Sequence, residues 1–70
     1  MLVEIWFNMT VTESGKTNRV SLETTVQNHA HAAHLSNGFW INQHAQCCSE
    51  ASGVKYVPAS QVISVEVVHA

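Results

Sequence analysis

The chain has 70 residues, 46 % of them hydrophobic and only 11 % charged, with a net charge of −2 at pH 7. These totals exclude a disordered chain, which pairs low hydrophobicity with high net charge. They also exclude a bulk nucleic-acid binder, because Lys16, Arg19 and Lys55 are its only permanent cations.

No apolar run approaches the roughly 20 residues of a membrane span. Glu4, Asn8 and Thr10 interrupt any leader-like segment. The expectation is one cytoplasmic domain over residues 1–70, with neither a membrane nor a nucleic acid as partner.

In chain order, Val3, Ile5, Phe7, Met9 and Val11 alternate with mostly polar residues, the period-2 signature of a half-buried strand. Val20, Leu22, Thr24 and Val26 repeat the pattern. The polar segment Glu13–Asn18, which contains Gly15, reads as the loop of a hairpin. Pairing Val11 with Val20 sets Met9 opposite Leu22 and Ile5 opposite Val26, a register that satisfies both patterns.

Residues 28–35 contain three alanines and no β-branched side chain, so they predict a short helix stopped by Ser36-Asn37-Gly38. A longer helix over 21–35 would align Leu22, Val26, Ala30 and Ala33, but Thr24-Thr25-Val26 resists it. Phe39–Ile41 reads as a short strand and Gln43–Ser52 as an irregular loop. Val54–Val57 reads as a strand broken by Pro58. The last strand, Gln61–Val68, places Ile63, Val65 and Val67 on one face.

Eighteen of the residues are Val, Ile or Thr, which favours strands throughout. The fold class expected is all-β: a small five-stranded SH3-like or Sm-like open barrel with an N-terminal hairpin and a short helix near 28–35. Closing a sheet removes its edges.

Gly53-Val54-Lys55-Tyr56-Val57-Pro58-Ala59-Ser60-Gln61-Val62-Ile63-Ser64-Val65 resembles the end of SH3-like barrels, about a fifth of the chain. There a strand runs into a proline and a 3₁₀ turn, and a last apolar strand follows. The acidic loop and paired aromatics of signalling SH3 domains are missing, so the resemblance implies a fold and not proline-peptide binding. The trimethoprim-resistant plasmid dihydrofolate reductases are also short SH3-like barrels, and they act as tetramers. Their Val-Gln-Ile-Tyr-type stretch is matched here only by Val54-Lys55-Tyr56-Val57, so the resemblance implies a barrel that works as an oligomer and not the reductase activity. In overall aspect the chain resembles small phage or gene-cassette proteins.

Below about 70–80 residues a single core rarely suffices without a staple. Cys47 and Cys48 are adjacent, so a disulfide between them would be strained and a poor staple. The sparse charge therefore predicts a homo-oligomer.

Four of the five histidines fall in one window, followed by two cysteines. Imidazole and thiolate are zinc ligands, and His29, His31, His34, His44 and Cys47 form the candidate metal set. Against it, no repeated C-x-x-C or H-x₃₋₅-H element is present, and solvated loop histidines are the plainer reading. A Cys47 or Cys48 nucleophile lacks an orienting acid, since the chain contains no Asp.

Trp6 and Trp40 lie on the faces opposite the core residues of their strands. With Tyr56 they are the candidate ligand or interface residues. The expected function is a non-catalytic homo-oligomeric module for a protein or small-molecule partner, without a cofactor. The alternatives are a zinc-type metal-binding domain and an oligomeric enzyme with its site on the symmetry axis.

Overall fold

The computed structural model describes residues 1–10 and 13–70. The chain runs β1 (Leu2–Thr10), β2 (Thr17–Thr25), α1 (His29–Leu35), β3 (Gly38–Ile41), β4 (Cys47–Cys48), a 3₁₀ turn (Glu50–Ser52), β5 (Lys55–Pro58), a second 3₁₀ turn (Ala59–Gln61) and β6 (Val62–His69). The class is β-dominated. The strands form two antiparallel three-stranded sheets, ordered β2-β1-β6 and β4-β3-β5.

Alternation in β1 does what period 2 requires: Val3, Ile5 and Phe7 are buried, and their neighbours face outward. The hairpin is present, but its register differs by four residues from the expected one. Ile5 lies opposite Leu22, not Val26, and Phe7 lies opposite Val20. Leu22 accordingly does not face Met9, which pairs with Asn18. A shift of an even number of residues keeps every side chain on its face, so the apolar pattern fits both registers equally. The expected Val11–Val20 pair involves a residue outside the described ones. Thr17 and Asn18, expected in the loop, belong to β2. Val26 lies past the end of β2, donates its N–H to the Met1 carbonyl at 2.9 Å and turns into the core.

The helix forms where the alanines predicted it, and the longer 21–35 helix does not, because β1 holds residues 17–25 as a strand. Asn28 caps α1, its Oδ1 accepting from the His31 N–H at 2.8 Å. Ala32 and Leu35, three apart, are the buried residues of α1. The helix stops at Ser36, whose hydroxyl donates to the Ala33 carbonyl at 2.6 Å. Gly38 then has φ +113°, and a Cβ there would run into the Tyr56 hydroxyl and the Val57 carbonyl. Only glycine meets both demands.

Residues 43–52, expected as a loop, contain β4 and a 3₁₀ turn, giving six strands and not five. The signal was invisible because β4 has only two residues. Its turn is built by Asn42, whose Oδ1 accepts from the His44 and Gln46 N–H groups at 2.9 and 3.1 Å. Ala45 in that turn has φ +58°.

The expected closure of one sheet into a barrel is not formed among the described residues. No strand of one sheet is laddered to a strand of the other. After β2 the chain leaves the sheet as α1, which packs against β3 and β6, and β4 is too short to bridge the gap.

The last strand also departs from simple alternation. Val65 and Val67 lie opposite Ile5 and Val3, and Val62 opposite Phe7, but the register slips between Val62 and Ser64 and between Val67 and His69. Ile63 and Val68 are the extra residues of these irregularities, so Ile63 is 48 % exposed and does not join Val65 and Val67 on the inner face.

Among the described residues nine apolar side chains are buried and no polar one is. Phe7 of one sheet meets Phe39 of the other edge to face, with centroids 5.2 Å apart at 86°. Truncating Phe7→Ala should cost about 3–5 kcal/mol. Total stability for a domain of this size is about 4–10 kcal/mol at roughly 0.05–0.15 kcal/mol per residue, so urea unfolding at fixed protein concentration should show most of it lost. In the opposite direction, Ala45→Gly relieves a left-handed alanine. It should stabilise by up to about 1 kcal/mol, raising Tm by roughly 4–8 °C in a thermal melt followed by circular dichroism.

Candidate functional site

A groove of about 440 Å³ opens where the two sheets fail to meet. One side is the end of β2, Thr24 and Thr25, with Val26 just past it. The other is β4 with Ser49 and Glu50. Leu35 and His31 of α1 and Gly38, Phe39 and Trp40 of β3 complete it. Its size and mix of apolar and polar groups suit a small organic ligand.

The local chain explains each wall. Thr24 and Thr25 end β2, paired with Val3 and Leu2 on one side, with no strand laddered to the other side among the described residues. Asn42 folds the chain back so that Cys47 and Cys48 pair with Ile41 and Trp40. Adjacent residues of a strand face opposite ways, so Cys47 turns toward the core with Ile41 and Cys48 lies on the Trp40 side.

Cys47 is half-buried and packs against the core. Burial pushes its thiol above the ordinary value of 9.0, the neighbouring Cys48 adds to the rise, and a hydrogen bond with the Thr24 side chain offsets part of it. That environment keeps the sulfur protonated at neutral pH, the opposite of an activated nucleophile. His31 is held at the start of α1. Its Nδ1 accepts from the Gln27 N–H at 3.3 Å, which assigns the ring proton to Nε2 and makes that nitrogen a donor. Glu50 is the one formally charged side chain on the groove.

The five residues of the candidate metal set are not gathered. His31 and Cys47 line the groove, whereas His29, His34 and His44 do not. Among the described residues no three His, Cys, Asp or Glu side chains come together to hold a metal ion. The separation follows from β3. His34 precedes this strand and His44 follows it, and four extended residues span about 13 Å. His44 is instead part of the Asn42 turn, with its Nε2 3.4 Å from Gln43 Nε2.

The aromatic candidates separate into two places. Trp40 and Tyr56 are cross-strand partners with centroids 5.2 Å apart at 54°. The Tyr56 hydroxyl donates to the Asn37 carbonyl at 3.4 Å, and Gly53 lies so close to Trp40 that a Cβ would stand 2.8 Å from the Trp40 Cβ. Trp40 lines the groove, and Tyr56 supports it from the other side. Trp6 belongs to the other sheet. Its Nε1 donates to Glu4 Oε1 at 2.8 Å, and the Arg19 guanidinium lies over the ring at 5.5 Å. With Ile63 and Ser64 these two side chains border a shallow hollow of about 210 Å³.

Thr24, Leu35, Phe39 and Glu50 are groove residues that the sequence did not single out. Their only signal was the end of the second alternating run at Thr24-Thr25, which does not say what lies opposite.

The thiol environment is directly testable. In a Cys48→Ser background, Cys47 should react with a disulfide reagent more slowly at neutral pH than a free thiol, with its half-maximal rate above pH 9. Thr24→Val removes the hydrogen bond, raises the thiol pKa further and should slow the reaction again, since the thiolate fraction falls as pKa rises. A rate equal to that of a free thiol would contradict the burial described. Compared as a whole, the chain matches no family model, no curated protein and no solved structure.

Proposed function

We propose that this chain is a non-catalytic binding module that works as a homo-oligomer and takes a small, flat, neutral or cationic molecule in the groove between its two sheets. The observation that carries this reading is the groove itself. It has aromatic side chains of Phe39 and Trp40, a few hydrogen-bonding groups from Thr24 and His31, and a single carboxylate, Glu50, as its only formal charge. A ring stacks on Trp40, the His31 Nε2–H donates to an acceptor, and Glu50 favours a positive group over a negative one.

The finer reading of the fold is an SH3-like or Sm-like open barrel. The passage from β5 through Pro58 and a 3₁₀ turn into β6 supports it. The non-catalytic reading is supported by the protonated Cys47 thiol and by the engagement of His31 Nδ1 with the backbone.

A second reading has its own observation. His31 and Cys47 are two zinc-type ligands on one groove. One NMR experiment separates the two. Amide spectra are recorded with neutral, cationic and anionic heteroaromatic fragments, and separately with zinc. The proposal expects neutral or cationic fragments to shift Thr24, His31, Cys48 and Glu50, and Thr25→Trp, which fills the groove from an exposed position, to abolish the shifts. Tight one-to-one zinc binding at His31 and Cys47 would replace the small-molecule reading with the metal one. Shifts confined to the Trp6 hollow, or none, would overturn both.

A further inference from the structure

The outer face of the first sheet changes character along its strands. Glu23, Glu4 and Glu66 form one row across β2, β1 and β6. The next row on this face is Ser21, Trp6 and Ser64, and beyond it Arg19 lies opposite Asn8. Negative charge thus gathers at one end of the face and Arg19 stands at the other, with Trp6 between them.

Two local features make a hollow around Trp6. The register of β6 on β1 slips between the pairs Phe7–Val62 and Trp6–Ser64, which leaves Ile63 as an unpaired extra residue. A bulge of this kind re-aims a side chain, and Ile63 stands exposed beside Trp6. From the other flank Arg19 reaches diagonally over Trp6, its guanidinium carbon 5.5 Å from the ring centroid. Trp6, Arg19, Ile63 and Ser64 border about 210 Å³.

The chemistry of these four residues is specific. The indole N–H donates to Glu4 Oε1 at 2.8 Å, which fixes the ring as a platform. The guanidinium is a planar fork of N–H donors that matches a carboxylate with two parallel bonds. Its cross-strand partner is Asn8 and its same-face neighbours on β2 are Thr17 and Ser21, so the ladder sets no carboxylate beside it. Glu4, the acid next to Trp6, is engaged by the indole and does not border the hollow.

We propose that this hollow is a second binding site, which takes a small monocarboxylate bearing one apolar group. The carboxylate pairs with the Arg19 fork, and the apolar group lies against Trp6 and Ile63. One cation fits one negative charge. A phosphate dianion would meet the same single cation, the nearby glutamate row and a chain of net charge −2. The volume lies below the roughly 300–1,000 Å³ of pockets for drug-sized molecules, which leaves room for one ring or one branched aliphatic group. The charge preference is opposite to that of the groove, and the site stands whether or not the groove is occupied. Two sources supply this chemistry, a free organic acid and the C-terminal residue of a peptide.

The test follows the Trp6 Nε1–H and the amides of Arg19, Ile63 and Ser64 by NMR of the full chain. The ligands are benzoate, and benzamide and benzamidinium, which keep its shape without its negative charge. Benzoate should shift these signals and bind about ten-fold or more tighter than benzamide, and benzamidinium should leave them unmoved. Arg19→Gln should weaken benzoate by about ten-fold or more. Arg19→Lys, which keeps the charge and loses the fork, should weaken it by about three- to ten-fold. Glu50→Gln, in the groove, should leave benzoate binding unchanged.

Acetyl-alanyl-phenylalanine, with its C-terminus free or amidated, separates the two sources. Binding of the free form tighter than benzoate supports the site with a peptide terminus as its ligand, and weaker binding supports it with a free acid. Equal binding of benzoate and benzamide overturns the proposal. So do benzoate shifts that survive Arg19→Gln, and a Trp6 signal unmoved by a large excess of benzoate. The three-ligand comparison uses the wild-type chain alone, so it decides the matter should an Arg19 variant fail to fold.

Discussion

The edge-to-face contact between Phe7 and Phe39 is the constraint on which this structure depends. Each sheet has only three strands, too few to be independently stable without a covered face. Phe7 comes from the middle strand of one sheet and Phe39 from the middle strand of the other, so their contact ties the two centres together. Val3 and Ile5 extend the contact along β1, Ile41 and Val57 carry it across the second sheet, and Ala32 and Leu35 cover it from the helix. With no polar side chain buried among the described residues, the core holds by apolar packing.

The rest of the architecture follows from how little material there is. Three strands per sheet leave every outer strand with an open edge, and the chain treats those edges differently. The end of β2 and the short β4 face each other across the groove, which Thr24 and Cys47 both line. A small binding site thus arises from incomplete closure. The edge of β6 lies away from the groove and stays apolar, with Val67 of its inner face nearly half exposed.

The outer faces add charge and aromatic detail that the core does not need. Glu4 lies opposite both Glu23 and Glu66, so three carboxylates cross the outer face of the first sheet in one row. Like charges set directly opposite destabilise a sheet. Here the Trp6 indole N–H donates to Glu4, and Arg19 lies over the Trp6 ring within the same face. On the second sheet Trp40 and Tyr56 are held between Gly38 and Gly53, whose missing side chains leave room for the two rings. The tryptophans that looked alike in the sequence therefore serve different surfaces, one at the groove and one beside β6.

What the sequence by itself determined was local. Period 2 marked β1 and β2, the alanine run with the Ser36-Asn37-Gly38 stop marked the helix, and Pro58 marked the junction before β6. Each rests on side chains within a few residues of one another, where backbone geometry dictates which face is buried. The tertiary structure decided what local patterning leaves degenerate. An even shift preserves the faces, so alternation had no power to choose between Ile5–Val26 and Ile5–Leu22.

Likewise, two residues are too few to show a period, so β4 and the groove it completes were not legible. The histidines stood close in sequence, but proximity along a chain is not proximity in space once a strand separates them. His34 and His44 lie at opposite ends of β3, and only His31 and Cys47 reach a common groove. Burial, register and the meeting of edges are properties of the whole packed chain, and they were decided there.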